Sequence, residues 1–547
     1  MNKRLSNIFL TCSFFFGLTG FYISLVVYID NTNFSTGNGL YKAISVLGWE
    51  KGTSFVVDSG GLLYAFGIGM VAKLIPDSWV TFYGAVTDFI TYRKLAWIHS
   101  IFGALASAVV LILAYQVTRD RFLSITVALL HAVSAFIFVN SINSEDIIPG
   151  YFFFCLSFLF FYQAITTDFK RLYFTLATLS VLGAMFLHWT LFPPIICTYG
   201  LVGLWLCFKD KIYIRFFVEQ MLLFFGLIKV FVLLSNFFFA GHFKSKLRFF
   251  DILYPSKAGP NSWLGFCWHK IEGLYLGIGN FLVGGQNAAT FSGVSSQNII
   301  RTVFSWALTL VCVGICVHIL RKNNLQKYKI LASTGLGVFL FGQLQNMYGQ
   351  PQDPQFQIQP MFITTVGLIL LSLNEKWRTT LKVALPLLII SVGVDNFISF
   401  KTTQGADSQA VKGFKEFRSL FPKEETKIVH LAYEGWSPWL MIFDYQADWK
   451  IYLADVLCLN KPFHFTPGIS VQEAAQEIMV EIDTALARGK RVIATTPWVD
   501  PAYMDVLQSQ NLTKSQVDEL KEILLRNYKV KKTYQLLWGQ FAEIERK

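Results

Sequence analysis

The sequence predicts an α-helical polytopic membrane protein of about eleven transmembrane helices, followed by a C-terminal soluble α/β domain. Three observations lead there: an apolar composition, apolar runs of spanning length, and basic residues that gather in alternate loops. Of the 547 residues, 53% are hydrophobic, 16% aromatic and only 15% charged. The mean hydropathy is +0.45, outside the range of soluble globular chains. A net charge of +12 would point to nucleic acid only if the basic residues formed one patch. They are dispersed, so nucleic acid is not an expected partner.

Apolar runs suited to spanning occur near 7–28, 95–117, 122–141, 147–166, 171–189, 192–208, 216–240, 302–320, 329–347, 357–374 and 383–400. Every second loop is net positive: Lys3 and Arg4; Arg119, Asp120 and Arg121; Asp168, Lys170 and Arg171; Lys209, Asp210, Lys211 and Arg215; Arg321, Lys322, Lys327 and Lys329; Glu375, Lys376, Arg378 and Lys382. The positive-inside rule places these loops, with the N-terminus, in the cytoplasm. The first run lacks a small-residue cleavage site and reads as a retained anchor. An odd number of spans then puts everything after about residue 400 outside. The short loops point to a bacterial inner membrane with a periplasmic C-terminal domain.

The expected organisation is a membrane domain over 1–400, a linker over 401–425 and an extracytoplasmic α/β domain over 426–547. In the last part, Lys427–Tyr433, Lys450–Ala454 and Arg491–Thr495 read as strands, and 471–488 and 513–528 carry helical apolar spacing. No nucleotide-binding glycine fingerprint occurs there. Six of the eight cysteines fall inside expected spans as packing residues. Cys267 and Cys458 fall in external segments and could pair in an oxidising compartment.

The external segments are the ones that could carry chemistry. In the first, Gly60–Ile75 is apolar, interrupted by Gly61, Gly67 and Gly69 and closed by Pro76. It reads as a helix lying in the interface or re-entering the protein. Asp58 precedes it with small neighbours that leave room for substrate. A partly desolvated carboxylate there suits a general base, and the same position suits a helix N-cap. Glu145 and Asp146 precede the fourth span on the same side. Two adjacent carboxylates offer hard oxygen ligands for Mg²⁺ or Mn²⁺, and they also suit a helix first turn. His188, in His188-Trp189-Thr190, is a candidate metal or phosphate contact and equally an aromatic-belt residue.

In the third external segment Lys244, Lys246, Arg248, His269 and Lys270 run against the positive-inside trend. An anionic headgroup or phosphate explains external cations near a membrane, as does ordinary lipid contact. The turn 348–360 holds Gln350, Gln352, Gln355, Gln357 and Gln359 among three prolines, an array of amides suited to sugar hydroxyls. Tyr64 joins this set as a sugar or acceptor contact.

With those residues placed, the membrane part resembles the GT-C glycosyltransferases, multi-span enzymes that use a polyprenyl-phosphate sugar as donor. Its layout is similar to that of protein O-mannosyltransferases and aminoarabinose transferases. The resemblance implies that Asp58, in VVDSGGLLY, is the essential acid of the first external loop. It implies that Glu145 and Asp146, in NSEDIIP, are a further catalytic or metal site. The family's late Arg-Tyr-x-x-Pro element is similar to Phe356-Gln357-Ile358-Gln359-Pro360, without its arginine, so Lys244, Lys246 or Arg248 would have to serve the donor phosphate. The resemblance implies an inverting transfer from a polyprenyl-phosphate-linked sugar to a glycolipid, polysaccharide or protein acceptor, with Mg²⁺ or Mn²⁺ a candidate cofactor and metal-independent members common. Two other readings stay open: a transporter or flippase for lipid-linked saccharides, and a polymerase or ligase of surface polysaccharide.

Overall fold

The computed structural model describes residues 3–29, 46, 64–80, 90–143, 147–238, 269–284, 299–322, 325–348, 358–404, 409–422, 424–429, 470–494, 498–499, 514–537 and 539–547. Asp58, Glu145, Asp146, Lys244, Lys246, Arg248, Gln350, Gln352, Gln355, Gln357, Cys267, Cys458 and the expected strand at Lys450–Ala454 lie outside the described residues.

Helix α1 covers Lys3–Ile29, and a π-helical turn at Tyr64–Ile68 runs into α2 (Gly69–Lys73) and α3 (Asp77–Val80). The bundle continues with α4 (Ile90–Thr118), α5 (Arg121–Val133), α6 (Ala135–Ser141), α7 (Ile147–Thr166), α8 (Lys170–Leu187), α9 (Phe192–Lys209) and α10 (Ile212–Phe238). It closes with α11 (His269–Asn280), α12 (Ile299–Lys322), α13 (Gln326–Tyr348), α14 (Ile358–Leu371) and α15 (Glu375–Gln404). Among the described residues, eight helices are long and apolar enough to cross a membrane, and nine if the pair α5 and α6, bent by 66°, is one span. At the positions of the other two expected spans lie α13 and the shorter α14, neither of which is among those eight or nine; residues Ile358 to Leu370 of α14 are all buried.

The bend between α5 and α6 falls at Ser134, and it frees backbone groups that lipid cannot satisfy. The end of α11 supplies the partners. The Ala135 and Phe136 amides donate to the carbonyls of Leu282 and Phe281 at 2.9 and 3.3 Å. Asn396 of α15 closes the junction: its Nδ2 donates to the Val133 and Leu282 carbonyls at 2.8 and 3.0 Å, and its Oδ1 accepts from the Gly284 amide at 3.3 Å. Three segments far apart in sequence are thereby joined inside the apolar bundle. Nearby, α5 places His131 between Ser107 and Tyr151, at 3.0 and 2.9 Å, so each buried polar atom of that imidazole has a partner.

Over 401–425, where the sequence suggested a linker, α15 runs on to Gln404 and a further helix α16 forms at Gln409–Leu420. Helix α16 lays Phe417 against Phe541, with ring centroids 5.0 Å apart. The C-terminal sheet has the order β1 (Thr426–Val429), β2 (Arg491–Ala494), β4 (Gly539–Arg546), β3 (Tyr528–Leu536). Strand β1 pairs parallel to β2, and the β3–β4 hairpin adds antiparallel. Helices α17 (Val471–Ala487) and α18 (Lys514–Asn527) contribute Ile478, Ile482, Leu520 and Leu524 to the core of this unit. At its edge Glu543 accepts from Tyr534 Oη, Arg491 Nη2 and Lys531 Nζ at 2.8, 2.9 and 3.0 Å. Burial alone would push this carboxyl up, but the hydrogen bonds from Lys531, Arg491 and Tyr534 outweigh it and hold the pKa at about 2.

Candidate functional site

The expected interfacial helix of the first external segment takes the form of the π turn and α2. Its inner face buries Tyr64, Ile68 and Ala72 against Leu95 and Ile98 of α4. Leu74, which caps its end, is 80% exposed. Lys94 Nζ of α4 reaches Asp77 at 2.6 Å and so fixes the entry of α3 against the bundle.

Tyr64 is the sequence-selected residue whose surroundings say most. Its hydroxyl lies 2.7 Å from Nε2 of His99, and Nδ1 of His99 lies 2.9 Å from the Asn143 carbonyl. A carbonyl only accepts, so Nδ1 donates to Asn143, and Nε2 shares the hydrogen bond with the Tyr64 hydroxyl. His99 thus ties the first external segment to the stretch that leads directly into Glu145 and Asp146. Ser100, the next residue, donates to the Ser141 carbonyl at 2.9 Å and fixes the same stretch a second time.

His188 lies against the first turn of α7. It ends α8, is 6% exposed, and its Nδ1 lies 2.6 Å from Thr190 Oγ1. Gly150, in the first turn of α7, permits the contact: a Cβ there would stand 3.1 Å from the His188 Cβ and 3.3 Å from its backbone nitrogen. Leu187 packs in the same cluster as Tyr64, Ile68 and Leu95. The structure therefore gathers Tyr64, His99, Asn143, Gly150 and His188 around one end of α4, α7 and α8.

Of the amide array, the described part is its last member and its partners on α13. Gln359 Oε1 accepts from Asn346 Nδ2 at 3.2 Å and lies 3.4 Å from Gln343 Nε2. Gly342 makes the room, since a Cβ there would fall 2.1 Å from Gln359 Cγ. Among the cations of the third segment, His269 and Lys270 open α11. Arg301 of α12 pairs with Asp395 of α15, one residue before Asn396. Among the described residues, no three His, Cys, Asp or Glu side chains group as metal ligands.

Sequence reasoning missed His99, Asn143, Gln343, Asn346, Arg301 and Asn396. A signal existed for His99 and Asn396. A polar residue inside an otherwise apolar run is costly in a bilayer and marks a partner or a function. Reading spans for hydropathy alone averaged that signal away.

No family model matches the chain, and no curated protein sequence matches it. Among solved structures, the chain is similar to a crystal structure of ArnT from Cupriavidus metallidurans bound to undecaprenyl phosphate, at a TM-score of 0.51 and 11% identity, covering 97% of each chain. At that identity the likeness is one of fold. The likeness extends over nearly the whole chain and is to the fold of that ArnT structure.

Proposed function

We propose that the protein is a membrane glycosyltransferase that moves a sugar from a polyprenyl-phosphate donor to an acceptor hydroxyl on the outer side. The observation that carries this reading is the fold match along the whole chain to a protein whose structure holds undecaprenyl phosphate. The convergence of the Tyr64 and His188 neighbourhoods on the segment before α7 supports it. A site for a two-substrate transfer needs several loops at one place.

In this reading Asp58, six residues before Tyr64, takes the proton from the acceptor hydroxyl. The resulting nucleophile attacks the anomeric carbon, the lipid phosphate leaves, and the configuration inverts. Lys244, Lys246, Arg248, His269 and Lys270 neutralise the phosphate. Tyr64 and the amides from Gln350 to Gln359 hold sugar hydroxyls. A divalent cation, Mg²⁺ or Mn²⁺, would be held by Glu145 and Asp146. The hard oxygen donors fit such an ion, and His188, whose backbone packs on Gly150, would reach it from the side. Bound there, the ion would supply charge for the leaving phosphate.

A transporter would use the break in the span at Ser134 as a substrate passage. The freed amides of that break are instead bonded to Phe281 and Leu282, which favours transfer over transport. The test is reconstitution with a radiolabelled polyprenyl-phosphate hexose and membrane glycolipid acceptors. Asp58→Asn should lower transfer by about 10²- to 10⁴-fold. Unchanged transfer removes Asp58 as base, and uptake of label without transfer favours the transporter.

A further inference from the structure

Away from the candidate site, α7, α8, α9 and α10 enclose a groove with about 800 Å³ of open space, walled by Phe161, Phe174, Tyr199, Tyr213 and Phe217. It lies in the halves of these helices next to the basic loops, at the far end of α7 and α8 from Gly150 and His188. Helix α10 is mostly uncovered: 11% of its spanning window is buried in the protein. The groove therefore faces the lipid.

We propose that this groove binds an anionic diacyl phospholipid, with one acyl chain between α9 and α10 and the phosphate at the basic rim. Three features single it out from an ordinary lipid-facing surface. The first is shape. Gly200 of α9 lines the groove, and a Cβ built on it meets nothing within 4 Å, whereas one at Gly203, a turn further on, would stand 3.1 Å from Phe217 of α10, so the open space between the helices is local to Gly200. An empty gap in a bilayer forfeits dispersion contacts on every wall, and an acyl chain is the filler at hand.

The second feature is charge. Lys170, Arg171, Lys209, Lys211 and Arg215 surround this end against Asp168, Asp210 and Glu219. Lys170 Nζ stands 5.3 Å from the centroid of Tyr213, a wall residue, so it marks the rim itself. Arg171 and Arg215 converge on Glu219 at 3.2 and 3.0 Å while staying largely exposed, and Glu219 is followed by Gln220, which lines the groove. Basic clusters at the interface beside a gap between spans are the general form of an anionic headgroup site. The third feature is a built floor: Thr178 Oγ1 donates to Gln220 Oε1 at 2.9 Å and so pins α8 to α10 below the rim.

The test is the full chain in detergent, stripped of lipid and titrated separately with phosphatidylglycerol, phosphatidylcholine and undecaprenyl phosphate. Binding is read by native mass spectrometry and by the melting temperature. Phosphatidylglycerol should be retained and should raise the melting temperature; phosphatidylcholine should do so weakly. Gly200→Leu fills the groove and should abolish retention. Lys170→Gln with Arg171→Gln, which keeps the Arg215–Glu219 pair, should weaken phosphatidylglycerol about ten- to thirtyfold and leave phosphatidylcholine unchanged. The proposal fails if both phospholipids bind alike, if a folded Gly200→Leu variant retains phosphatidylglycerol as the parent does, or if undecaprenyl phosphate displaces phosphatidylglycerol from this site.

Discussion

The Tyr64 hydroxyl is hydrogen-bonded to Nε2 of His99 at 2.7 Å, and the other nitrogen of that ring donates to the Asn143 carbonyl at 2.9 Å. One imidazole thus sets the distance between two segments that the sequence presents some eighty positions apart.

Tyr64→Phe removes the first bond of this relay, and His99→Phe removes both. Each should destabilise the protein by about 1–2 kcal/mol and lower sugar transfer by about tenfold. The double variant should lose little more than either single one, because both changes break one connection. Initial-rate measurements with thermal unfolding in detergent check this, and additive losses would contradict a shared relay.

Asn396 satisfies three backbone groups at the break between α5 and α6. Asn396→Leu removes these bonds from the Val133 carbonyl and the Gly284 amide in an apolar setting, while the Leu282 carbonyl keeps the Ala135 amide, and should cost about 2–4 kcal/mol. Asn396→Asp keeps an acceptor for the Gly284 amide but cannot donate to Val133 or Leu282, so its loss should also be large. Melting temperatures in one detergent provide the comparison.

Gly342→Ala drives a methyl into Gln359 Cγ at 2.1 Å, well inside contact distance. Displacing Gln359 from Asn346 should cost about 1–3 kcal/mol and, if the amides hold sugar, raise KM for the donor or acceptor more than it lowers kcat. An unchanged KM would separate this cluster from substrate binding.

The folded-state pKa of Glu543 is lowered from 4.5 to about 2. The folded form binds this proton more weakly than the unfolded form, so its contribution to stability is present above about pH 4.5 and is lost as the pH falls through about 2. Glu543→Gln should destabilise the C-terminal unit at neutral pH by about 1–3 kcal/mol and flatten its loss between pH 4.5 and 2. Urea midpoints read by limited proteolysis of the region 491–546 at pH 7 and pH 3 measure both effects.

Chelation by EDTA, followed by Mg²⁺ or Mn²⁺, tests the proposed ion. Transfer should fall and be restored in the parent, whereas Glu145→Gln should need more metal for the same rate. Transfer indifferent to EDTA would leave Glu145 and Asp146 to act without an ion.

Much of the fold was legible because it rests on local chemistry. Apolar runs of spanning length predicted α1, α4 and α7–α10 nearly to their ends, since each helix satisfies its own backbone bonds. The capping box of Ser470 with Glu473 opens α17 at Val471, where the apolar spacing placed it. The β3–β4 hairpin was not foreseen. Strand β3 reads Tyr-Lys-Val-Lys-Lys-Thr-Tyr-Gln-Leu, a mostly polar strand with seven exposed or half-exposed residues between its buried ends, and such an edge carries little apolar periodicity. Nor was α16 foreseen in 401–425, because its partners Phe541 and Tyr534 lie more than a hundred residues on.

For the candidate site the division is sharper. Composition, run length and the one-sided basic loops by themselves determined a membrane protein, the order of its helices and the external segments worth reading. Hydropathy and charge act on each segment separately, so one chain is enough to read them. That Tyr64 meets His99, that His188 closes on Gly150, and that Asn396 seals a broken span were decided only by tertiary structure. Each is a hydrogen bond or close approach between segments distant in sequence, and its partner is chosen by packing, not by any local pattern.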